Sequence, residues 1–142
     1  LSAHQRSERD QVIARLRRDA ALLAARFRLE LRALSPERPQ VRRRYGVCYD
    51  DGSIRIRLQH ATTGALLKYS SLIDTLCHEL AHLRHFNHGA QFEHLYRQIL
   101  AYAREVGIYR PSPRRPGGSR VRERPHRSPR AKSGPVQLDL FG

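Results

Sequence analysis

The chain has 142 residues, enough for one small domain with appendages. Its formal charge of +14 is carried almost wholly by arginine, only Lys68 and Lys132 being lysines, and so basic a balance points to a polyanionic partner such as nucleic acid. Two cysteines, Cys48 and Cys77, exclude a disulfide framework and fit a reducing cytoplasm, while the absence of an apolar run near ~20 residues or of an apolar leader argues against a membrane span or a secretion signal.

Residues 8–34 carry apolar side chains at helical spacing: Val12, Ile13, Leu16, Ala20, Leu23, Phe27, Leu31 and Leu34. A long amphipathic helix is expected there, ended by the prolines of SPERP at 35–39. The period then changes. VRRRYGVCY and SIRIRLQ flank DDG, a hairpin signal, and in the second run Ile54, Ile56 and Leu58 alternate with Ser53, Arg55 and Arg57. A two-stranded antiparallel piece of a small sheet follows, with HATTGALLK as a loop or short third strand.

From about Ser70 the helical period returns through Leu72, Ile73, Leu76, Cys77, Leu80 and Leu83, with Ser70 or Ser71 as the expected N-cap. FNHG breaks this helix, and a last one is expected over residues 90–106. Residues 110–135 hold nine basic residues against the single acid Glu123, among prolines, glycines and serines. Nothing apolar recurs, so disorder is expected. The organisation read from sequence is a domain over 1–109, a basic linker over 110–135 and a short terminal motif over 136–142.

The chemistry is concentrated in HELAHLRHFNH, residues 78–88, which holds four of the eight histidines. His78 and His82 lie four apart on a helix, so their imidazoles share one face about 6 Å apart and can reach one ion. Glu79 beside them is placed to act as general base, the arrangement of the H-E-x-x-H zinc motif. A catalytic zinc takes three protein ligands. His85 stands about 10 Å beyond His78 along the axis, far for sharing one ion. His88 follows FN, where Asn87 and Gly89 permit a turn that would fold it back. His88 is the favoured third ligand, with His85 and His94 as alternatives. His4, His60 and His126 are read as surface residues.

The pattern HExxH, five residues, a third histidine and then an aromatic four residues on (Phe92) resembles the active-site segment of the SprT-like, WLM and YgjP-like metallopeptidases. These are small zincins that include DNA–protein crosslink proteases of the Spartan and Wss1 type. The resemblance spans roughly residues 8–108. It implies an α+β, minigluzincin-like fold: N-terminal helix, small antiparallel sheet, active-site helix and C-terminal helix. It implies Zn2+ on His78, His82 and His88, catalysis by Glu79, and a substrate peptide extended along the strand near 53–59. The ten-residue span also matches metzincins, but those have glycine where His85 stands, and a chain without methionine has no methionine turn. For the oxyanion of the reaction, Tyr69, Tyr96, Arg84 and His85 are unranked candidates.

The chain ends PVQLDLFG. The pentapeptide Gln137, Leu138, Asp139, Leu140 and Phe141 resembles the motif that docks on the bacterial sliding clamp, which implies Leu140 and Phe141 as anchors and Gln137 in a neighbouring subsite. Together the two resemblances imply a zinc metalloprotease acting on DNA-associated proteins, recruited to the replication clamp, with the basic linker and domain surface on DNA, in a cytoplasmic, nucleoid-associated setting. Two other readings compete. A zinc-dependent RNA hydrolase family shares the histidine spacing but has glycine at the position of Glu79 and aspartate at that of Asn87. A non-catalytic, zinc-stabilised DNA and clamp adaptor would have no use for Glu79.

Overall fold

The computed structural model describes residues 2–112 and 130–131. Helix α1 spans Ala3–Arg26 and opens on a capping box: the Gln5 amide donates to the Ser2 hydroxyl while the Ser2 amide donates to the Gln5 side chain. Its stripe of Ile13, Leu16, Ala20, Leu23 and Ala24 is buried. The helix is shorter than its apolar spacing suggests. It stops at Phe27, and Arg28 turns the chain with φ 56°, so that residues 33–36 leave as a strand instead of continuing the helix.

That strand, β1 (Ala33–Pro36), pairs in parallel with β3 (Ser53–Ile56), Leu34 opposite Ile54. The Arg17 guanidinium on α1 donates to the Leu34 carbonyl at 2.8 Å and ties strand to helix. Strand β2 (Gly46–Tyr49) forms the expected antiparallel hairpin with β3, Cys48 opposite Ile54, through a turn in which Gly52 has φ 93°. Only four residues of each hairpin run are strand; 41–45 are not. A two-residue strand, β4 (Arg130–Ala131), pairs in parallel with Cys48 and Tyr49. It falls within the stretch expected to lack structure; the remainder of that stretch beyond Ser112, and the terminal pentapeptide Gln137–Phe141, lie outside the described residues.

The sheet order is β1-β3-β2-β4, so the sheet is mixed. Strand β3 is interior, which corrects the expectation that the run 53–59 offers a free edge to a substrate. Both its hydrogen-bonding sides are taken, and β2 is likewise paired on both sides, by β3 and by the two residues of β4. The residues after β3 form a loop with a lone bridge between Gln59 and Leu66.

Helix α2 (Tyr69–His82) packs on β2 and β3, against α1, and against α3 (Ala90–Glu105). Its N-cap is Lys68 and has no side-chain capping bond, in place of the serine caps expected. Ile54, Ile56, Leu72, Ile73, Leu76, Leu80, Phe92 and Ile99 fill one core. Cys48 and Cys77 are both buried and unbridged. Among the described residues no helix is long and apolar enough to cross a membrane.

Candidate metal centre

Helix α2 carries both its core stripe and its functional residues on buried faces, because the sheet covers one side and α3 the other. His78 and Glu79 follow Cys77 without a break, and His82 comes one turn after His78. His78 is 6% exposed, and Glu79 and His82 are fully buried. Beyond His82 the chain keeps helical hydrogen bonds through His85, whose amide donates to the Ala81 carbonyl at 3.0 Å. It then reverses into α3, whose N-cap is Gly89.

This reversal brings His88 back over α2. It does so without left-handed backbone: Gly89 has φ −88°, and Asn87 is not among the residues with positive φ. His78, His82 and His88 each present one ring nitrogen, all within 4.8 Å of one another. Ring centroids are 5.1 Å apart for His78 and His82, 5.2 Å for His78 and His88, and 4.6 Å for His82 and His88. His85 and His94 are not in this cluster. Phe92, one turn into α3, forms its wall. Its ring stacks on His82 at 4.4 Å and meets His78 and His88 edge-on at 4.8 and 5.0 Å.

The donor set fits a divalent metal of borderline softness. The His82 Nδ1 lies 3.0 Å from the His85 carbonyl, which only accepts, so Nδ1 carries the proton and Nε2 keeps its lone pair. That Nε2 faces the His88 Nε2 at 2.9 Å. Two imidazole nitrogens so close need a proton or a cation between them. Burial, helped by the neighbouring imidazoles and opposed by Glu79, lowers the pKa of His82 to about 4, which keeps the ring neutral and able to ligate at neutral pH. Among the described residues three imidazoles and no fourth side chain form the cluster, as in a catalytic zinc site, which leaves a position for water or substrate.

Glu79 points its carboxylate at the same region, with Oε2 3.5 Å from the His78 Nδ1. Strand β2 crosses directly over it. A β-carbon on Gly46 would stand 3.1 Å from the Glu79 Cγ, 3.2 Å from its Oε2 and 2.8 Å from the Thr75 Cγ2. Gly46 is therefore part of the site, and the sequence signal was available: glycine inside a strand marks close backbone approach.

The four oxyanion candidates fare differently. The Tyr69 hydroxyl donates to the buried Asp19 at 2.7 Å, under the Arg15 guanidinium, and burial with that carboxylate holds its pKa well above the ordinary value. The Arg84 guanidinium donates to the Phe27 carbonyl at 2.7 Å and closes the end of α1. Tyr96 touches His78, ring centroids 5.5 Å apart, but its hydroxyl donates to Asp74. His85 lines an open cavity of about 320 Å³ beside the cluster, with Phe86, Asn87, Gln91 and Phe92.

Residues 2–135 match the WLM domain family. Among solved structures, Wss1 from Saccharomyces cerevisiae aligns with a TM-score of 0.65 at 19% identity, covering 72% of this chain and 84% of that one. Wss1 from S. pombe aligns with a TM-score of 0.58 at 27% identity, covering 69% and 82%. Among curated proteins none matches.

Proposed function

The chain belongs to the WLM domain family, and from that premise we propose that it is a zinc metalloendopeptidase acting on proteins bound or crosslinked to DNA. The observation that carries the reading is the three-imidazole cluster with the buried Glu79 carboxylate beside it. His78, His82 and His88 hold the metal. A bound zinc ion supplies Lewis-acid chemistry, polarising a carbonyl and making water more acidic.

The protein's own residues do the rest. Glu79 takes the proton of the attacking water and passes it to the departing amine. The His85 carbonyl fixes the tautomer of His82, and Phe92 excludes water from one side of the imidazoles. A substrate peptide extends along β2, the strand that lies over Glu79, taking the place on its outer edge that Arg130 and Ala131 of β4 hold here. Recruitment comes from the terminal pentapeptide Gln137, Leu138, Asp139, Leu140 and Phe141 docking on a bacterial sliding clamp, which raises the local concentration of the protease near replicating DNA. The setting is the cytoplasmic nucleoid.

The test is cleavage of a DNA-bound protein by wild type and by Glu79→Gln at matched zinc content, with and without single-stranded DNA. Cleavage by wild type alone, faster with DNA, is the expected result. Bound zinc without cleavage by either protein would leave an adaptor in place of an enzyme.

A further inference from the structure

Residues 37–45 join β1 to β2 and read ERPQVRRRY. They form one wall of an open cavity of about 470 Å³, whose other walls are Arg9 of α1 and the segment that follows β3. Four arginines line it, Arg9, Arg38, Arg42 and Arg57, against one carboxylate, Glu37. Glu37 is 5% exposed and already engaged: its carboxylate lies 3.8 Å from the Arg44 guanidinium and accepts from the Arg38 amide at 3.3 Å. It offsets Arg44, which is not a lining residue, and leaves the cleft strongly positive.

The wall is held in place. The Glu37 amide donates to the Ile56 carbonyl at 2.9 Å and the Arg57 amide to the Tyr45 carbonyl at 2.8 Å. The Arg57 side chain donates to the Val41 carbonyl at 3.1 Å and lies 5.2 Å over the Tyr45 ring. Arg38 and Arg42 are exposed at the rim, and the Nε of Arg9 is buried with no acceptor among the described residues. Guanidinium groups converging from three segments suit an anion whose oxygens point in several directions, as a phosphodiester's do. Pro39 and Val41 between them offer apolar surface on which a sugar can lie.

We propose that this cleft binds the backbone of a single-stranded nucleic acid. The loop runs straight into Gly46, which stands against Glu79. A strand lying in the cleft therefore borders the loop that positions Gly46 against the catalytic carboxylate. This rests on the proposed action on DNA-associated proteins and adds where the DNA lies.

The experiment uses the full chain and a fluorescein-labelled oligothymidylate of about 20 nucleotides, long enough to pass one binding groove, titrated by anisotropy across a salt series. Wild type is compared with Arg38→Ala/Arg42→Ala and with a control of equal charge loss on α3, Arg97→Ala/Arg104→Ala. The cleft variant should bind several-fold more weakly, with a log–log salt slope shallower by about 1.4, from about 0.7 per single-strand phosphate contact. The α3 control should follow wild type. Equal losses in both double variants, or no loss in the cleft variant, would overturn the proposal. So would polyglutamate displacing the labelled strand as well as unlabelled oligothymidylate does, since the cleft would then be a site for acidic protein. Cleavage of an unattached, unstructured protein is followed in parallel and should be the same in wild type and the cleft variant. Its absence in wild type would remove the protease reading, while the anisotropy alone decides the cleft.

Discussion

Gly46 and Glu79 meet where strand β2 crosses helix α2, so closely that a β-carbon on Gly46 would stand 3.1 Å from the Glu79 Cγ and 2.8 Å from the Thr75 Cγ2. Glu79 is fully buried and Thr75 is 3% exposed, so neither can swing into solvent to make room. Gly46→Ala therefore pushes the strand outward or turns the carboxylate. We expect a stability loss of about 1–3 kcal/mol, the usual range for overpacking, and a fall in kcat larger than any fall in bound zinc. Thermal unfolding, metal analysis and turnover measured on one preparation check this. A variant with wild-type turnover would show that Glu79 need not sit where it does.

His88 and His85 separate by the atoms they contribute. His88 offers a ring nitrogen 2.9 Å from that of His82, whereas His85 offers its backbone carbonyl to the His82 Nδ1. Replacing the His85 side chain leaves that carbonyl in place. His88→Ala should lose most of its zinc, and His85→Ala should keep it, as read by metal analysis after dialysis. Zinc added back should raise the unfolding temperature of His85→Ala in a concentration-dependent way, since a ligand that binds only the folded state stabilises it by mass action. The opposite pattern would move the ligand role to His85.

Arg84 closes α1 from across the fold, donating to the Phe27 carbonyl at 2.7 Å where the helix leaves its last carbonyls without partners. Arg84→Ala should cost about 1–3 kcal/mol, the worth of its charged bonds to the Phe27 and Arg28 carbonyls, and leave zinc content unchanged. Denaturant unfolding with zinc present measures it. A loss of zinc would mean that the end of α2 had moved.

The same contact explains what the sequence did and did not reveal. Phe27, Leu31 and Leu34 continue the helical spacing of α1, and no glycine or proline interrupts them before Pro36. The stop is made by Arg28 in a left-handed conformation and by an arginine 57 residues away on the chain, neither of which leaves a local mark. Strand β1 was hidden for the same reason. The hairpin turn at Gly52, the span of α3 and the apolar stripe of α2 were legible because each is set by local period and turn chemistry. The meeting of His78, His82 and His88 was partly legible: helical spacing pairs the first two, and the third depends on a reversal whose path only the packing of α3 on α2 defines.

Removal of residues 136–142 tests the proposed recruitment. The deletion should abolish binding to a bacterial sliding clamp in a fluorescence titration and leave cleavage of an unattached protein unchanged. Leu140→Ala/Phe141→Ala should do the same if those two are the anchors, because an interface this short concentrates its energy in a few apolar side chains. Undiminished clamp binding by the truncated chain would sink the assignment of the pentapeptide.

Tyr96 looks at first like the group that would stabilise a developing oxyanion, since its ring lies 5.5 Å from that of His78 and stacks on Phe92 at 6.1 Å. Its hydroxyl has one proton, however, and donates it to Asp74, one turn before His78 on α2. A donor committed to a carboxylate has nothing left to give a substrate. Tyr96 thus joins α3 to α2 beside the first histidine. Tyr96→Phe keeps the ring and removes the hydroxyl that donates to Asp74. We expect a stability loss of about 1–3 kcal/mol and a kcat within about fivefold of wild type. Loss of an oxyanion donor would instead cost about a hundredfold or more. Steady-state kinetics at saturating substrate separates the two, and a hundredfold fall in kcat with zinc intact would return Tyr96 to the reaction itself.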